Sequence, residues 1–560
     1  MSSSRGKTCF RNGAKAWHPA HGRCDVAGMT DVWTIRGGML FDAAGGLSRA
    51  DLAISADGRI SRIAPALPPA AHDLDATGLA VSPGFIDIHC HSDFSAFVYP
   101  RAESKILAGV TTDVSGNCGV SPFPLVGEFR ARRAAEWASH GLAVDWETPR
   151  EYYARAEAAP CSVNRVELAG HGAIRAAVVG YAGRPTDAAE RRRMRQLLEE
   201  ALEAGAWGLS SGLLYPPGCY ADADELADLA GVVAAAGGFY SSHIRNEGDR
   251  LLEAIDEFLD VLRRSGVRGQ LSHLKAAGQR NWPKTADALR RLRAAREAGI
   301  AVTADRYPYL ASMTDLDSML LPDWAVEGGT EKELARLVDP ATRQRLRDEI
   351  LAAHPEPEYF ERIRVSDVSH GGPQTAVGRT LRQLGEDAGR DPLEVAFDLI
   401  LEHRTQVGAV HFSMSDENLR DILREPYVAI GSDSSLRRVP GAGETGGSGL
   451  AHPRAYGTPA RFLSTYVRDA GLMDWPEGIR RLTRLPADVV GLADRGRLAV
   501  GAWADVVVFD RQAMADRATY EQPAVPPAGI CHVFVNGEHV VADGQHTGAT
   551  PGRVLRRGIS

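Results

Sequence analysis

The chain has 560 residues, 44% of them hydrophobic and 24% charged, the proportions of an ordinary globular protein. Collagen-like, coiled-coil and wholly disordered readings are excluded on that ground. A net charge of −8 argues against nucleic acid as the main partner, and no run reaches the roughly 18 apolar residues that a membrane span requires.

Residues 1–30 lack periodicity and read as a flexible extension. They carry basic residues with no apolar stretch behind them, so no secretory signal is expected. The spacing of Cys9, His18, His21 and Cys24 fits no zinc pattern. Seven cysteines, odd in number and scattered, do not make a disulfide framework. A reducing, cytoplasmic compartment is the expectation.

Residues 31–82 hold short β-branched stretches broken by Gly, Asp and Pro, which read as strands and turns. Residues 489–560 read the same way, with an Asn536-Gly537 turn between apolar runs. The economical arrangement is one small β domain assembled from both chain ends. Residues 83–488 alternate strand-like and helix-like segments. RVELAG, AWGLSSG, FYSSH, GQLSH and IAVTADRYPY are the strands. The helices between them close near Gly205, Gly237, Gly266 and Gly299. With Asp87–His91, Thr111–Val114 and Tyr427–Asp433 added, about eight β-then-α units imply a parallel sheet of (β/α)8 rhythm; a doubly wound open sheet is the alternative, which no GxGxxG after the first strand favours. Residues 311–400 interrupt that rhythm and read as an inserted lid.

In such a barrel the chemistry lies at the C-terminal ends of the strands. The polar residues predicted there are His89 and His91, Cys118, Glu167 and His171, His243, His273 and Lys275, Asp305 and Tyr307, and Asp433. Alternate residues of a strand share a face, so His89 and His91 can point at one ion while Cys90 points away. Alone, H-x-H is a weak signal. Its repetition as His, Cys, His, His and Asp around one barrel fits Zn2+, with an open position for water. Cys161, Cys219 and Cys531 read as structural. Glu103, Asp113 and Asp305 read as hydrogen-bonding or capping groups.

PGFIDIHCHSDFS, LAGVTTDVSGNCGVSP, LAGHGAIR, GAWGLSSGLLYPPGCYAD, SSHIRNEG, LSHLKAAG, DRYPY, GSDSS and GRLAVGAWADVVVFD together resemble the D-aminoacylases. These are N-acyl-D-amino-acid deacylases of the metal-dependent amidohydrolase superfamily. The resemblance runs from about Asp31 to about Arg557. It implies an α/β fold, a distorted TIM (β/α)8 barrel with a small β-sandwich built from both chain ends. It also implies roles. Cys118, His243 and His273 hold a tight zinc, and His89 and His91 contribute to a second, weaker metal position. Asp433 is the base and acid: metal-bound hydroxide attacks the amide while Asp433 shuttles the proton. Lys275, Tyr307 and Arg454 hold the substrate carboxylate, and Tyr215 lines the pocket.

The expected activity is therefore hydrolysis of N-acyl-D-amino acids, small-molecule substrates. The oligomeric state is left open. Between Asp433 and Arg454 the segment SSLRRVPGAGETGGSGLAHP is longer and richer in Gly than the family leads one to expect. It keeps a cyclic amide, a D-residue dipeptide or an acylated natural product open as substrate. A non-catalytic scaffold of the same fold would show decayed ligands, and none of the expected set is missing.

Overall fold

Val506, Val507 and Val508 show how the terminal sheet forms. Successive side chains of a strand face opposite sides. Val506 and Val508 pack with Ile35, Leu52, Ile54 and Phe534 on one side. Val507 and Phe509 pack with Val110, Leu463 and Val533 on the other. A strand buried on both faces reads as a continuous apolar run, as this one does. The computed structural model describes residues 30–41, 46–138, 140–368, 374–441 and 450–559. The expected extension, with Cys9, His18, His21 and Cys24, lies outside the described residues apart from Thr30. So does the 442–449 part of the Gly-rich segment.

Both chain ends enter one nine-stranded sheet. Val506–Phe509 pairs antiparallel with Ala80–Pro83, and Ala80–Pro83 pairs parallel with Asp31–Phe41. Ile530–Val535 and Glu538–Ala542 extend one edge; Leu47–Ser55 and Ile60–Ala64 extend the other. The Asn536-Gly537 turn has positive φ at both residues, the geometry that a tight hairpin between two strands requires.

The middle of the chain supplies two parallel sheets. One runs Val428–Ile430, Val302–Arg306, Arg268–Leu271, Phe239–His243, Gly208–Gly212 and Ala169–Gly170. The other runs Phe85–Asp87, Val110–Ser115 and Asn164–Glu167. Only Leu168 separates Asn164–Glu167 from Ala169–Gly170. At the opposite side Cys90 forms a parallel bridge with Ser434, just beyond the first and last of these strands.

Helices connect successive strands. Ala188–Glu203 starts at an Asp187 cap with a reciprocal bond from Glu190, the capping box. Leu251–Ser265 buries Leu251, Ala254, Ile255, Phe258, Leu259 and Leu262, a stripe at helical spacing, and stops at Gly266 in the left-handed conformation. Each large apolar side chain in such a stripe contributes about 1.5–3 kcal/mol on burial.

The insertion expected at 311–400 reaches further. Its sheet is Ser312–Asp315, Val407–His411 and Ile363–Val368, and the middle strand lies beyond residue 400. Val407 and Ala409 pack on Leu337, Leu346, Phe397 and Ile400 in a separate apolar core. A boundary set at 400 misses this strand because its partners, Ser312–Asp315 and Ile363–Val368, lie far from it in sequence. No helix among the described residues is long and apolar enough to cross a membrane. The five described cysteines are unpaired.

Candidate metal and hydrolase site

Two groups of donor atoms meet at the C-terminal ends of the parallel strands. Cys118, His243 and His273 form one; His89, His91, Cys118 and Asp433 form the other. In each, the ligand atoms lie within 4.8 Å of one another, and Cys118 belongs to both. Cys118 follows Val110–Ser115, His243 ends Phe239–His243, and His273 follows Arg268–Leu271. Parallel strands in register bring residues that are 30 to 155 positions apart into one cluster.

The separations are short. Cys118 Sγ lies 3.4 Å from His89 Nε2 and 3.7 Å from His273 Nε2. His273 Nε2 lies 3.0 Å from His243 Nδ1. His243 Nε2 is buried with no hydrogen-bond partner. Burial alone would raise the Cys118 thiol, but the charge of His89 and hydrogen bonds from His243, His273 and His89 hold it well below the usual thiol range. A buried thiolate among three imidazoles is the donor chemistry that suits Zn2+.

Asp305 orients two of these histidines. Its carboxylate lies 3.1 Å from His89 Nδ1 and accepts the His273 backbone N–H at 2.8 Å. Gln270 Nε2 donates to its other oxygen at 2.8 Å. Fixing Nδ1 leaves Nε2 of His89 to face Cys118. Cys90 turns the other way, its Sγ 3.1 Å from Val114 O.

Asp433 spans two kinds of neighbour. Oδ1 lies 3.1 Å from His91 Nε2 and 3.5 Å from His89 Nε2. Oδ2 lies 2.8 Å from Arg454 Nη1. Burial would raise its carboxyl, but Arg454, His89 and His91 outweigh burial and hold it well below the usual carboxylate range. Arg454 is 6% exposed. Its Nη2 reaches Met313 O at 3.4 Å, while Nε has no hydrogen-bond partner. Tyr307 is fully buried with an unpartnered hydroxyl, its ring 4.7 Å from the Arg454 guanidinium and 5.9 Å from Lys275 Nζ. Burial pushes the phenol up, but the cations Lys275, Arg306 and Arg454 prevail and lower it. Tyr215 packs edge-on to His243 at 5.0 Å and its hydroxyl meets Thr314 Oγ1 at 3.2 Å.

Lys275 is engaged differently from the sequence expectation. Its Nζ pairs with Glu247 and lies 2.8 Å from His273 Nδ1. Glu247 Oε1 is itself 2.8 Å from His273 Nδ1. Sequence reasoning passed over Glu247. The signal was its place in SSHIRNEG, four residues after His243, but its partner Lys275 comes from another strand. Two other residues expected at strand ends go elsewhere. His171 pairs with Glu225 at 2.8 Å, and Glu167 accepts the Tyr152 hydroxyl at 2.6 Å. One cavity of about 710 Å³ is lined by His91, Cys118, Tyr215, His243, Glu247, His273, Lys275, Tyr307, Asp433 and Arg454, while His89 lies buried behind Cys118.

Comparison with known proteins agrees with this geometry. A family model described as the amidohydrolase family matches residues 74–541. The chain is 38% identical to an N-acyl-D-glutamate deacylase of Alcaligenes xylosoxydans xylosoxydans, over 94% of this chain and 96% of that protein. It is 34% identical to a D-aminoacylase of the same organism, over 93% and 97%. Among solved structures, N-acyl-D-glutamate deacylase from Bordetella bronchiseptica, complexed with zinc and a phosphonate mimic of the tetrahedral intermediate, has a TM-score of 0.77 at 35% identity. That match covers 94% of this chain and all of the other.

Proposed function

The chain belongs to the amidohydrolase family, and from that premise we propose that it is a zinc-dependent deacylase releasing D-amino acids from N-acyl-D-amino acids. We read the parallel segments as a distorted (β/α)8 barrel closed at the Cys90–Ser434 bridge. The nine-stranded sheet is then a small β-sandwich built on the chain ends.

The observation that carries the reading is the position of Asp433, one oxygen on the histidine cluster and the other on Arg454. A scissile amide next to a carboxylate needs both neighbours at once. Cys118, His243 and His273 would hold the tighter zinc, with His243 Nδ1, 3.0 Å from His273 Nε2, as the atom turned to the cluster. His89 and His91 would share in a second, weaker position. Zinc supplies Lewis acidity and a nucleophile at neutral pH when bound. Asp433, ionised at rest, takes the proton of the attacking water on Oδ1 and passes it to the departing amine nitrogen. Arg454 and the unpartnered Tyr307 hydroxyl would receive the substrate carboxylate; Arg can do so in bidentate fashion. Lys275 joins them by exchanging its bond to Glu247. Tyr215 walls the pocket beside His243.

A cavity of about 710 Å³ is of the size that takes drug-sized ligands. It therefore favours, as a second reading, a D-residue dipeptide or a larger acylated compound over the smallest acetyl substrates. Matched N-acyl-D- and N-acyl-L-amino acids, dipeptides and cyclic amides, assayed with zinc stripped and restored, test both readings. Zinc-dependent turnover confined to the D series is expected. Turnover of L substrates or cyclic amides alone would refute the proposal.

A further inference from the structure

Beneath the strand-end residues lies a charged cluster that the proposed chemistry does not use. Lys105 sits in the short helix Glu103–Ile106 and is 1% exposed. Its Nζ donates to Asp87 Oδ2 at 2.5 Å, to Ser432 Oγ at 2.7 Å and to Ser434 O at 3.3 Å. Asp87 in turn accepts from the Ser432 hydroxyl at 2.5 Å and the Ser432 N–H at 2.8 Å. The His89 N–H reaches the same carboxylate at 3.3 Å. One ion pair therefore grips the residues on both sides of Asp433 and the backbone entering His89.

The two segments it joins are also bonded directly. Asp433 N–H donates to His89 O at 2.7 Å, and His91 N–H donates to Ser434 O at 3.2 Å. Between the two serines Asp433 has φ +51°, in the left-handed region where an L residue does not rest without support. Ser432 is held by side chain and backbone, and Ser434 by its carbonyl. With both neighbours fixed, Asp433 cannot relax to extended backbone. A buried ion pair adds little net stability, so what this one supplies is direction.

We infer that Lys105 and Asp87 are positioning residues that act through Ser432 and Ser434 to hold the Asp433 carboxylate against His89 and His91. The inference rests on the proton-shuttle role proposed for Asp433. A displacement of about 1 Å in a reacting group costs on the order of 100-fold in rate, so the clamp is read in kcat.

Two variants test it, each carried in the full chain and loaded with zinc. D87N/K105M removes both charges of the pair; the buried Asp113 carboxyl also loses Lys105 as its cation, so thermal unfolding is followed alongside. S432A removes one hydroxyl and spares the ion pair, and it decides the matter should the double variant fail to fold. Zinc content, KM and kcat are measured on the best N-acyl-D-amino acid, and both variants are crystallised. Expected for D87N/K105M is a kcat lowered about 10- to 100-fold, with KM and the tightly held zinc unchanged, and a smaller loss of the same kind for S432A. In both crystals Asp433 should leave its left-handed conformation or swing from His91. Wild-type kcat in a folded variant, or an Asp433 that stays in place, would overturn the inference. A wild-type enzyme inactive on every such substrate would instead sink the proposed function, and the crystallographic position of Asp433 would still judge the clamp.

Discussion

Arg454→Met separates two contributions of one guanidinium. The side chain lies 2.8 Å from Asp433 Oδ2 and beside the unpartnered Tyr307 hydroxyl. Met keeps the apolar stem and removes the charge. Part of the loss will come through Asp433, which keeps His89 and His91 but loses its cation, and that part falls equally on every substrate. The rest is the contact with the substrate carboxylate. A hydrogen bond to a charged group contributes about 1.5–3 kcal/mol. At about 1.4 kcal/mol per factor of ten, that is roughly 10- to 150-fold in kcat/KM. An N-acyl-D-amino acid and its amide, differing only in whether the carboxylate is masked, isolate this term. The wild type should prefer the acid by about that factor, and Arg454→Met should abolish the preference, chiefly by raising KM. Thermal unfolding must be followed alongside, because losing one partner of a buried ion pair can cost about 3–5 kcal/mol. If acid and amide lose equally, the carboxylate does not bind Arg454 and the pocket has been read in the wrong place.

Four further outcomes are expected. Cys118→Ala should lose most of the tightly bound zinc, measured by metal analysis, because the thiolate belongs to both donor groups; full zinc and activity would remove Cys118 from the site. Asp433→Asn should keep zinc and fold while kcat drops by at least about 100-fold; near-normal turnover would place the proton transfer elsewhere. Glu247→Ala should weaken zinc about 10- to 100-fold in chelator competition, since it faces His273 Nδ1; unaltered affinity would make it a partner of Lys275 alone. Glu333 is buried, and burial followed by the charges of Asp317 and Asp315 pushes its carboxyl up to about 9. A raised folded value means stability present in full below the unfolded value near 4.3 and lost as pH climbs towards 9. Glu333→Gln should therefore raise Tm over wild type at pH 8 and leave it nearly unchanged at pH 4, and a gap that does not widen with pH would refute the assignment.

The residues whose place could be read from sequence are those whose position follows from their own strand. His89 and His91 follow from alternation, and Cys118, His243, His273 and Asp433 from repetition at strand ends. Cys90 turns away, as alternation requires. What was not legible depends on partners distant in sequence. Nothing in the sequence singles out Lys105, and only the meeting of Asp87 with Ser432 makes it a buried donor. Glu247 reads as loop polarity until Lys275 and His273 close on it. His171 and Glu167 were drawn to the site by their positions after a strand. Glu167 instead ends its strand against Tyr152, and His171 opens the helix His171–Val178 against Glu225. That Val407–His411 joins the inserted sheet is not legible either, because a short apolar run does not reveal whether its partners are parallel or antiparallel.

The backbone at the site follows from the same economy. Cys118, His273 and Asp433 all have positive φ, at +53°, +34° and +51°. Each stands where a parallel strand has just ended and the chain turns, with its side chain on the wall of the cavity. Such conformations cost of order 1–3 kcal/mol each in non-glycine residues and persist only where neighbours determine them. Here the neighbours can be named. Asp305 accepts the His273 N–H, His89 O accepts the Asp433 N–H, and Ser210 Oγ accepts the N–H of Gly119, next to Cys118. Glycine would relieve the strain at any of the three positions, but it would bring no thiolate, imidazole or carboxylate. The strain is tolerated because the donor groups are needed at the turns themselves, and the bonds that hold the turns come from the ends of other parallel strands. Loosening one strand end should therefore disturb ligands supplied by its neighbours as well as its own.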